Sequence, residues 1–227
     1  MLSNRAVYNP EHEMFRDAVR GFVKAQIAPH FERWEQAGMV DRSYWQAGGE
    51  AGLLCPQIPE GYGGAGGDFK YNCVVVEEIA YAGYAGPMTD YSVHSDVCAG
   101  YILNAGTEAQ KEKWLPRMVS GETVCAIAMT EPGTGSDLQG IKTRAVRDGD
   151  VYRIDGAKTF ISNGQHCDLV IVVCRTSDAP GAKGMSLILV ETDRPGFRRG
   201  RKLAKLGLLS SDTSEMSFED VEVPVAN

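Results

Sequence analysis

With 227 residues the chain has room for one large domain or two modest ones, and its 43% hydrophobic and 23% charged residues are an ordinary globular composition. A net charge of −7 argues against a nucleic-acid binder, whose phosphate contacts need clustered Lys and Arg. No stretch reaches the ~18 apolar residues of a membrane-spanning helix, and Met1-Leu2-Ser3-Asn4-Arg5 lacks the apolar core of a signal peptide.

The first half reads as helices. Asn9 can cap a helix that has Pro10 at its first position and Glu11 and Glu13 in its first turn. Phe15, Val19, Phe22, Val23 and Ile27 follow at helical spacing, and Pro29 kinks or ends the helix. Phe31 to Gln36 continue or restart it, and Asp41 to Ala47 suggest a short second helix. Gly61, Gly63 and Gly66 match a dinucleotide fingerprint in spacing, but Pro56 and Pro59 interrupt the segment where the required strand would lie. A loop that lets two helices cross closely is the better reading. Asp68 to Ala82 resumes a helix in which Glu77 and Glu78, as sequence neighbours, suit ion pairs better than acid–base work. Thr89 to Ala105 forms another, with Ala99 and Gly100 permitting a close crossing and Gly106 ending it. Thr107 and Gln110 are a capping box opening a helix that contains Pro116.

At Gly121 the pattern changes to β. Thr123 to Met129 is a strand, and Thr143–Val146 and Val151–Ile154 flank Asp148-Gly149 as a hairpin. Asp155-Gly156 turns into Ala157 to Ile161. Leu169–Arg175 and Met185–Val190 are β-branched strands joined by a flexible loop, Thr176–Gly184. Short strands at about 8–12-residue spacing indicate a barrel or sandwich. The fold class is therefore α+β: a helical domain over residues 1–121, then a β domain over 122–227.

Two chemical leads stand outside these elements. Six cysteines (Cys55, Cys73, Cys98, Cys125, Cys167, Cys174) form no C-x-x-C pair and sit mostly in apolar runs, as free thiols of a reducing compartment do. The histidines at 12, 30, 94 and 166 have no metal-ligand spacing, so no metal site is expected. Six cations between Arg194 and Lys205 could meet phosphates, but a solvated face, or one that pairs with acidic residues of a further domain, is the favoured reading.

The organising stretch runs from Ala126 to Gly140. Its first half is a buried strand, and its second half carries a proline, three glycines, two hydroxyls and two carboxylates in ten positions. Such a segment is too polar for a core. Its glycines let backbone N–H groups approach a ligand, and Thr130, Thr134 and Ser136 add hydroxyl donors. The second stretch is Lys158-Thr159-Phe160-Ile161-Ser162-Asn163-Gly164. Strand alternation puts Phe160 and Ser162 on one face, an aromatic ring beside a hydroxyl, which suits a planar heteroaromatic ligand.

Thr130-Glu131-Pro132-Gly133-Thr134-Gly135-Ser136-Asp137 resembles the signature loop of the acyl-CoA dehydrogenase family of flavoproteins. Lys158 to Gly164 is similar to the segment that lines the flavin there, with Phe160 where most members have tryptophan. His30 to Gly38, Gly200 to Gly207 and Asp212 to Val221 look most like the long-chain branch. The resemblance covers nearly the whole chain. It implies an FAD cofactor contacted by Ile127, Ala128, Met129, Thr130, Gly135, Ser136, Phe160, Ile161 and Ser162, with Ser162 bonding the reactive edge. It implies CoA contacts at Ser136, Ala182 and Lys183. The implied reaction is α,β-dehydrogenation of an acyl-CoA, with hydride passing to flavin N5 and electrons onward to an electron-transfer flavoprotein.

The family's general-base glutamate belongs to a C-terminal helical bundle expected beyond Asn227, and Glu131 is not that base. The resemblance therefore implies a truncated dehydrogenase, inactive alone and holding FAD weakly or not at all. When full length it would be a homodimer or homotetramer of the bacterial cytoplasm or mitochondrial matrix. A flavin oxidase of the same fold, and a non-catalytic acyl-CoA or partner-binding module, are the competing readings. Acyl-chain length is not legible in the sequence.

Overall fold

The computed structural model describes residues 7–227, so the reading of Met1 to Arg5 lies outside the described residues. The chain divides into two compact units, Met1–Thr123 with Leu206–Ser211, and Val124–Lys205 with Asp212–Asn227.

The first unit is helical. Helix α1 (Pro10–Phe22) is capped by the Asn9 side chain, and His12 reaches back to the Asn9 amide to complete a capping box. The same imidazole places Nε2 3.0 Å from Asp68 Oδ1, so one histidine joins two helix starts. A π-helical turn, Val23–Ile27, follows α1 directly. After the turn containing Pro29, the chain restarts as α2 (Phe31–Ala37), which Gly38 ends at φ 74°. Helix α3 spans Arg42–Glu50, and α4 spans Phe69–Tyr81 behind an Asp68 N-cap. Helix α5 (Ala85–Ser92) begins four residues ahead of Thr89 and runs through a π-helical turn, Val93–Cys98, into α6 (Ala99–Ala105). Helix α7 (Glu108–Val119) opens on the Thr107–Gln110 capping box.

These helices converge on Trp34, Trp45, Tyr91, Ile27, Ile79, Leu115 and Met118, all at most 1% exposed. Each such side chain contributes about 1.5–3 kcal/mol on leaving water. Arg16, also buried, places Nη1 2.5 Å from Glu78 Oε1 and 3.2 Å from Glu77 Oε2, and Arg20 bonds Glu78 from the other side. The adjacent glutamates are thus ion-paired, as their spacing suggested.

Two glycine expectations are corrected. A Cβ on Gly64 would stand 1.9 Å from the Ile58 carbonyl oxygen, so at this glycine the loop folds tightly on itself rather than letting two helices cross. Ala99 is buried, but a Cβ on Gly100 would meet open space, so no close crossing passes through it. The late segment Leu206–Ser211 completes this unit. Ser210 donates from both its amide and its hydroxyl to Glu35 Oε1, and Ser211 Oγ bonds Asp90 Oδ1 at 2.5 Å.

The second unit is one curled, mixed seven-stranded sheet in the order β1-β4-β2-β3-β7-β6, with β5 added on β4. The strands are β1 (Cys125–Ala128), β2 (Arg144–Asp148), β3 (Val151–Ser162), β4 (Leu169–Arg175), β5 (Met185–Glu191), β6 (Phe197–Lys202) and β7 (Thr213–Pro224). The expected hairpin joins β2 and β3 around Gly149, and β4 and β5 pair antiparallel across the expected loop. β1 runs parallel to β4, which sets the end of β1 among β4 and β3. Its core includes Ala128, Ile154, Ile161, Val172, Met216 and Phe218.

Asp155-Gly156 is not a turn. β3 runs unbroken for 12 residues, with a register shift against β7 between Ile154 and Gly156. The glycine is there for contact: a Cβ would lie 2.7 Å from Thr143 Cα. The extra residue of this shift belongs to β7, and the bare glycine of β3 lets the segment at Thr143 close in where a turn was expected.

Candidate functional site

The stretch after β1 is a tight, exposed hairpin on a buried stem. Glu131 and Thr134 exchange backbone hydrogen bonds of 2.9 and 3.0 Å across Pro132-Gly133. Both stem residues are buried, whereas Pro132, Gly133, Gly135, Ser136 and Asp137 are exposed. A Cβ at Gly133 or Gly135 would touch nothing within 4 Å, so these glycines serve no packing contact and leave the backbone open. Asp137 closes the loop by accepting from the Gln139 amide at the following 3₁₀ turn.

Beneath the hairpin lies a buried ion pair. Lys158, on β3, has a side chain with no exposure, and its Nζ is 3.0 Å from Glu131 Oε1. The ammonium also donates to the carbonyls of Met129 at 3.0 Å and Val173 at 2.6 Å, so its three protons have three acceptors. Glu131 accepts in addition from the amides of Lys142 at 2.7 Å and Thr143 at 2.9 Å. Burial raises the Glu131 carboxyl, but the donors of Thr143 and Lys142 and the Lys158 ammonium outweigh it and hold the group below its ordinary range. Burial pushes the Lys158 ammonium down, with Glu131 opposing that shift. Glu131 is accordingly a structural anion with its lone pairs engaged, consistent with its exclusion as a base. Burial likewise pushes the neighbouring Cys174 thiol up to about 12, leaving it an inert thiol.

Next to the pair, β3 bulges. Lys158 pairs with Met216 and Ile161 with Ser214, so two residues of β3 face one of β7. Phe160 takes φ 59°, a strained conformation for a bulky residue. The turned amide of Thr159 donates to the Thr130 carbonyl at 2.9 Å, bringing the start of the hairpin loop against the aromatic segment. Phe160 is left 66% exposed, an aromatic ring held in solvent by its own backbone. Past the bulge the alternation resumes: Ile161 enters the core and Ser162 is half-buried on the far side of it. The step that fails alternation is the one before, where Lys158 and Thr159 are both buried.

The other expected contacts divide by depth. Ile127, Met129 and Thr130 are half-buried, and Gly135 and Ser136 are exposed. Ala128 and Ile161 give their side chains to the core. Ala182 and Lys183 are exposed on a 3₁₀ turn, Gly181–Gly184. That turn stands beside the signature loop's continuation, since a Cβ on Gly181 would lie 3.7 Å from Gln139 Oε1. Arg175 fixes the same region by donating to the Gln139 and Ile141 carbonyls. In the basic run, Arg194, Arg198 and Arg201 pair with Glu191, Glu219 and Glu215, so these three find their carboxylates within this chain rather than on a further domain.

Lys158 is the residue that sequence reasoning passed over. Its signal was a lone cation in a segment otherwise reading as a half-buried strand, but its partner lies 27 positions away.

The N-terminal domain profile of acyl-CoA dehydrogenases matches residues 9–122, and the middle-domain profile matches residues 126–221. The mitochondrial long-chain specific acyl-CoA dehydrogenase of Mus musculus is 47% identical over 223 residues, covering 97% of this chain and 51% of its own. A crystal structure of an acyl-CoA dehydrogenase from Geobacillus kaustophilus superposes with a TM-score of 0.95 at 48% identity, covering 99% of this chain and 59% of its own. A glutaryl-CoA dehydrogenase from Mycobacterium smegmatis, in complex with FADH2, gives a TM-score of 0.90 at 30% identity, covering 99% and 56%. The chain spans about half the length of the curated relatives it matches.

Proposed function

The chain belongs to the acyl-CoA dehydrogenase family, and from that premise we propose that it supplies the flavin-contacting part of an FAD-dependent enzyme that desaturates an acyl-CoA between Cα and Cβ. One observation carries the reading: Phe160, 66% exposed at φ 59°, is a rigid aromatic face set beside Thr130 by the Thr159–Thr130 hydrogen bond. A strained, exposed aromatic is stable only where its surroundings enforce it, and such strain gathers at ligand sites. The half-buried hydroxyls of Thr130 and Ser162 suit the polar edge of the same flat group.

The residues present fit an isoalloxazine. Phe160 and the backbone of Ile161 would lie along the ring, with Ser162 at its reactive edge and Ile127 to Thr130 along the pyrimidine side. Bound FAD would supply the redox chemistry by accepting the β hydrogen as hydride at N5. The protein's part is to orient that ring and to place donors where negative charge gathers on it. Gly135 and the exposed Ser136 would continue toward the substrate's CoA portion, with Ala182 and Lys183 opposite. The electron acceptor is an electron-transfer flavoprotein, and the whole enzyme is a homodimer or homotetramer of the bacterial cytoplasm or mitochondrial matrix.

Amide chemical shifts of the 15N-labelled chain, titrated with FAD, test the contact. The Thr130, Phe160 and Ser162 amides are expected to move together; movement confined to other segments overturns the reading. The 227 residues alone are expected to give no turnover, because of the signature loop's two carboxylates Glu131 is fully engaged and Asp137 caps the following 3₁₀ turn. Steady dye reduction by this chain with an acyl-CoA would refute that. In a longer product of the same gene, acyl-CoA-dependent dye reduction supports a dehydrogenase, and rapid peroxide formation instead marks an oxidase.

A further inference from the structure

Lys158 sits where a strand core would ordinarily hold an apolar side chain. Carrying a charge there is costly unless every proton is satisfied. All three are, and the acceptors come from different places in the chain: Met129 at the end of β1, Val173 in β4, and Glu131 at the hairpin stem. Glu131 in turn gathers the amides of Lys142 and Thr143, which close the loop from its far end. One ammonium therefore determines where the signature loop leaves the sheet and where it rejoins.

The Met129 contact has a directional effect. Every described peptide is trans, and in a trans peptide the C=O and the following N–H point opposite ways. With the Met129 carbonyl drawn inward to Lys158, the N–H of Thr130 must point outward. The Thr130 carbonyl is fixed separately by the Thr159 amide. Both peptide groups flanking Thr130 are thus set, one by Lys158 and one by the bulge at Phe160.

We propose that Lys158 is a positioning residue for flavin binding, which holds the Met129–Thr130 peptide so that the Thr130 N–H is presented as a donor to the flavin edge. The inference rests on the flavin reading above and adds to it a residue that touches no cofactor. Glu131 serves as the counter-ion that makes the buried cation tolerable. A hydrophobic residue at position 158 could fill the same volume, but it could not turn the peptide. The function of the buried charge is therefore the direction of a backbone donor, separable from packing.

The test compares the wild-type chain with the single variant Lys158→Met and the double variant Lys158→Met/Glu131→Gln. The single variant leaves Glu131 as an uncompensated buried anion and is expected to be destabilised. The double variant removes both charges, keeps the volume and is expected to fold. Residual dipolar coupling of the Thr130 N–H, measured without ligand, reports the peptide's orientation. In the double variant that coupling is expected to change, and FAD affinity to fall by about tenfold, the worth of one or two hydrogen bonds. Lys158→Arg, which keeps a cation but not the three-point geometry, is expected to restore stability more than affinity. An unchanged coupling in the folded double variant overturns the positioning role whatever flavin does, and so does a changed coupling with wild-type affinity. If the wild-type chain alone shows no flavin response, affinity is compared in a longer product of the same gene: wild-type affinity in its double variant overturns the assignment of Lys158, and no flavin binding by its wild type overturns the flavin reading instead. If the double variant fails to fold, the same coupling and titration on Lys158→Arg decide the matter, with unchanged values counting against the proposal.

Discussion

The Thr159 amide donates to the Thr130 carbonyl at 2.9 Å because β3 bulges at Phe160 and turns that amide away from β7. A defect in one strand is thereby the attachment point of a loop 29 residues earlier, and the exposed ring of Phe160 is its by-product. This separates stability from ligand affinity at one position. Phe160→Gly relieves a left-handed conformation that costs a non-glycine residue about 1–2 kcal/mol, against about 0.5–1 kcal/mol for glycine's extra chain entropy. Little burial is lost from a ring 66% exposed. Thermal melting is expected to stay within a few degrees of wild type, while the FAD-dependent shifts weaken. A large loss of stability would show that the ring packs rather than waits for a ligand.

Gly156 holds the other side of the same network. A Cβ there would stand 2.4 Å from Thr143 Oγ1 and 2.7 Å from its Cα. Gly156→Ala must push back the segment whose amides bind Glu131. The expected cost is about 1–3 kcal/mol, as for other overpacked sites, with faster hydrogen exchange at Lys142 and Thr143. Urea titration reads the first and exchange NMR the second.

Acid protonates Glu131 later than an ordinary carboxylate, and that delay ties the group to folding. Its carboxyl is held below the ordinary range, so the unfolded chain takes up that proton at a higher pH than the folded one. The stability it contributes is complete above the ordinary glutamate value of about 4.3 and drains away as pH falls through the folded value. Stability measured from pH 7 downward is expected to fall less steeply below that point in Glu131→Gln than in wild type. Parallel curves would show that the pair is not linked to folding.

In the helical unit, Arg16→Met removes the chief partner of two carboxylates. Arg16 is 5% exposed and Glu78 7%, and among the described residues the exposed Arg20 remains to balance Glu78. Stranding a buried charge costs about 3–5 kcal/mol, and Arg20 brings the expectation to the lower end. Adding Glu78→Gln should recover part of the loss, a coupling that a double-mutant cycle measures directly.

Gly86→Ala targets the returning segment. Its Cβ would lie 2.1 Å from Ser210 Oγ and 3.1 Å from the Ser211 amide, the two residues that bind Glu35 and Asp90. The segment's exposed leucines, Leu206, Leu208 and Leu209, are then expected to be cut by chymotrypsin well before the wild type is.

The elements that could be read from the chain are those decided locally. Asn9-Pro10, Asp68 and the Thr107–Gln110 pair mark helix starts because capping involves residues only two or three apart. Thr130 to Asp137 was legible as a ligand loop because its composition excludes a core. What escaped was set by distant neighbours. Asp155-Gly156 has the composition of a turn, but β3 runs through it opposite an extra residue of β7, and the glycine answers the approach of Thr143. Lys158 reads as a surface lysine until Met129, Glu131 and Val173 surround it. The left-handed turn at Phe160 has no local signature at all, since no propensity favours it.

The hexapeptide Leu206–Ser211 makes the helical unit discontinuous in the gene. A single cut near Thr123 yields helices with Glu35 and Asp90 stripped of their serine partners, however carefully the cut is placed. Anyone dissecting this protein would need a synthetic peptide added in trans, or a permuted gene that splices those six residues back, to recover the missing piece.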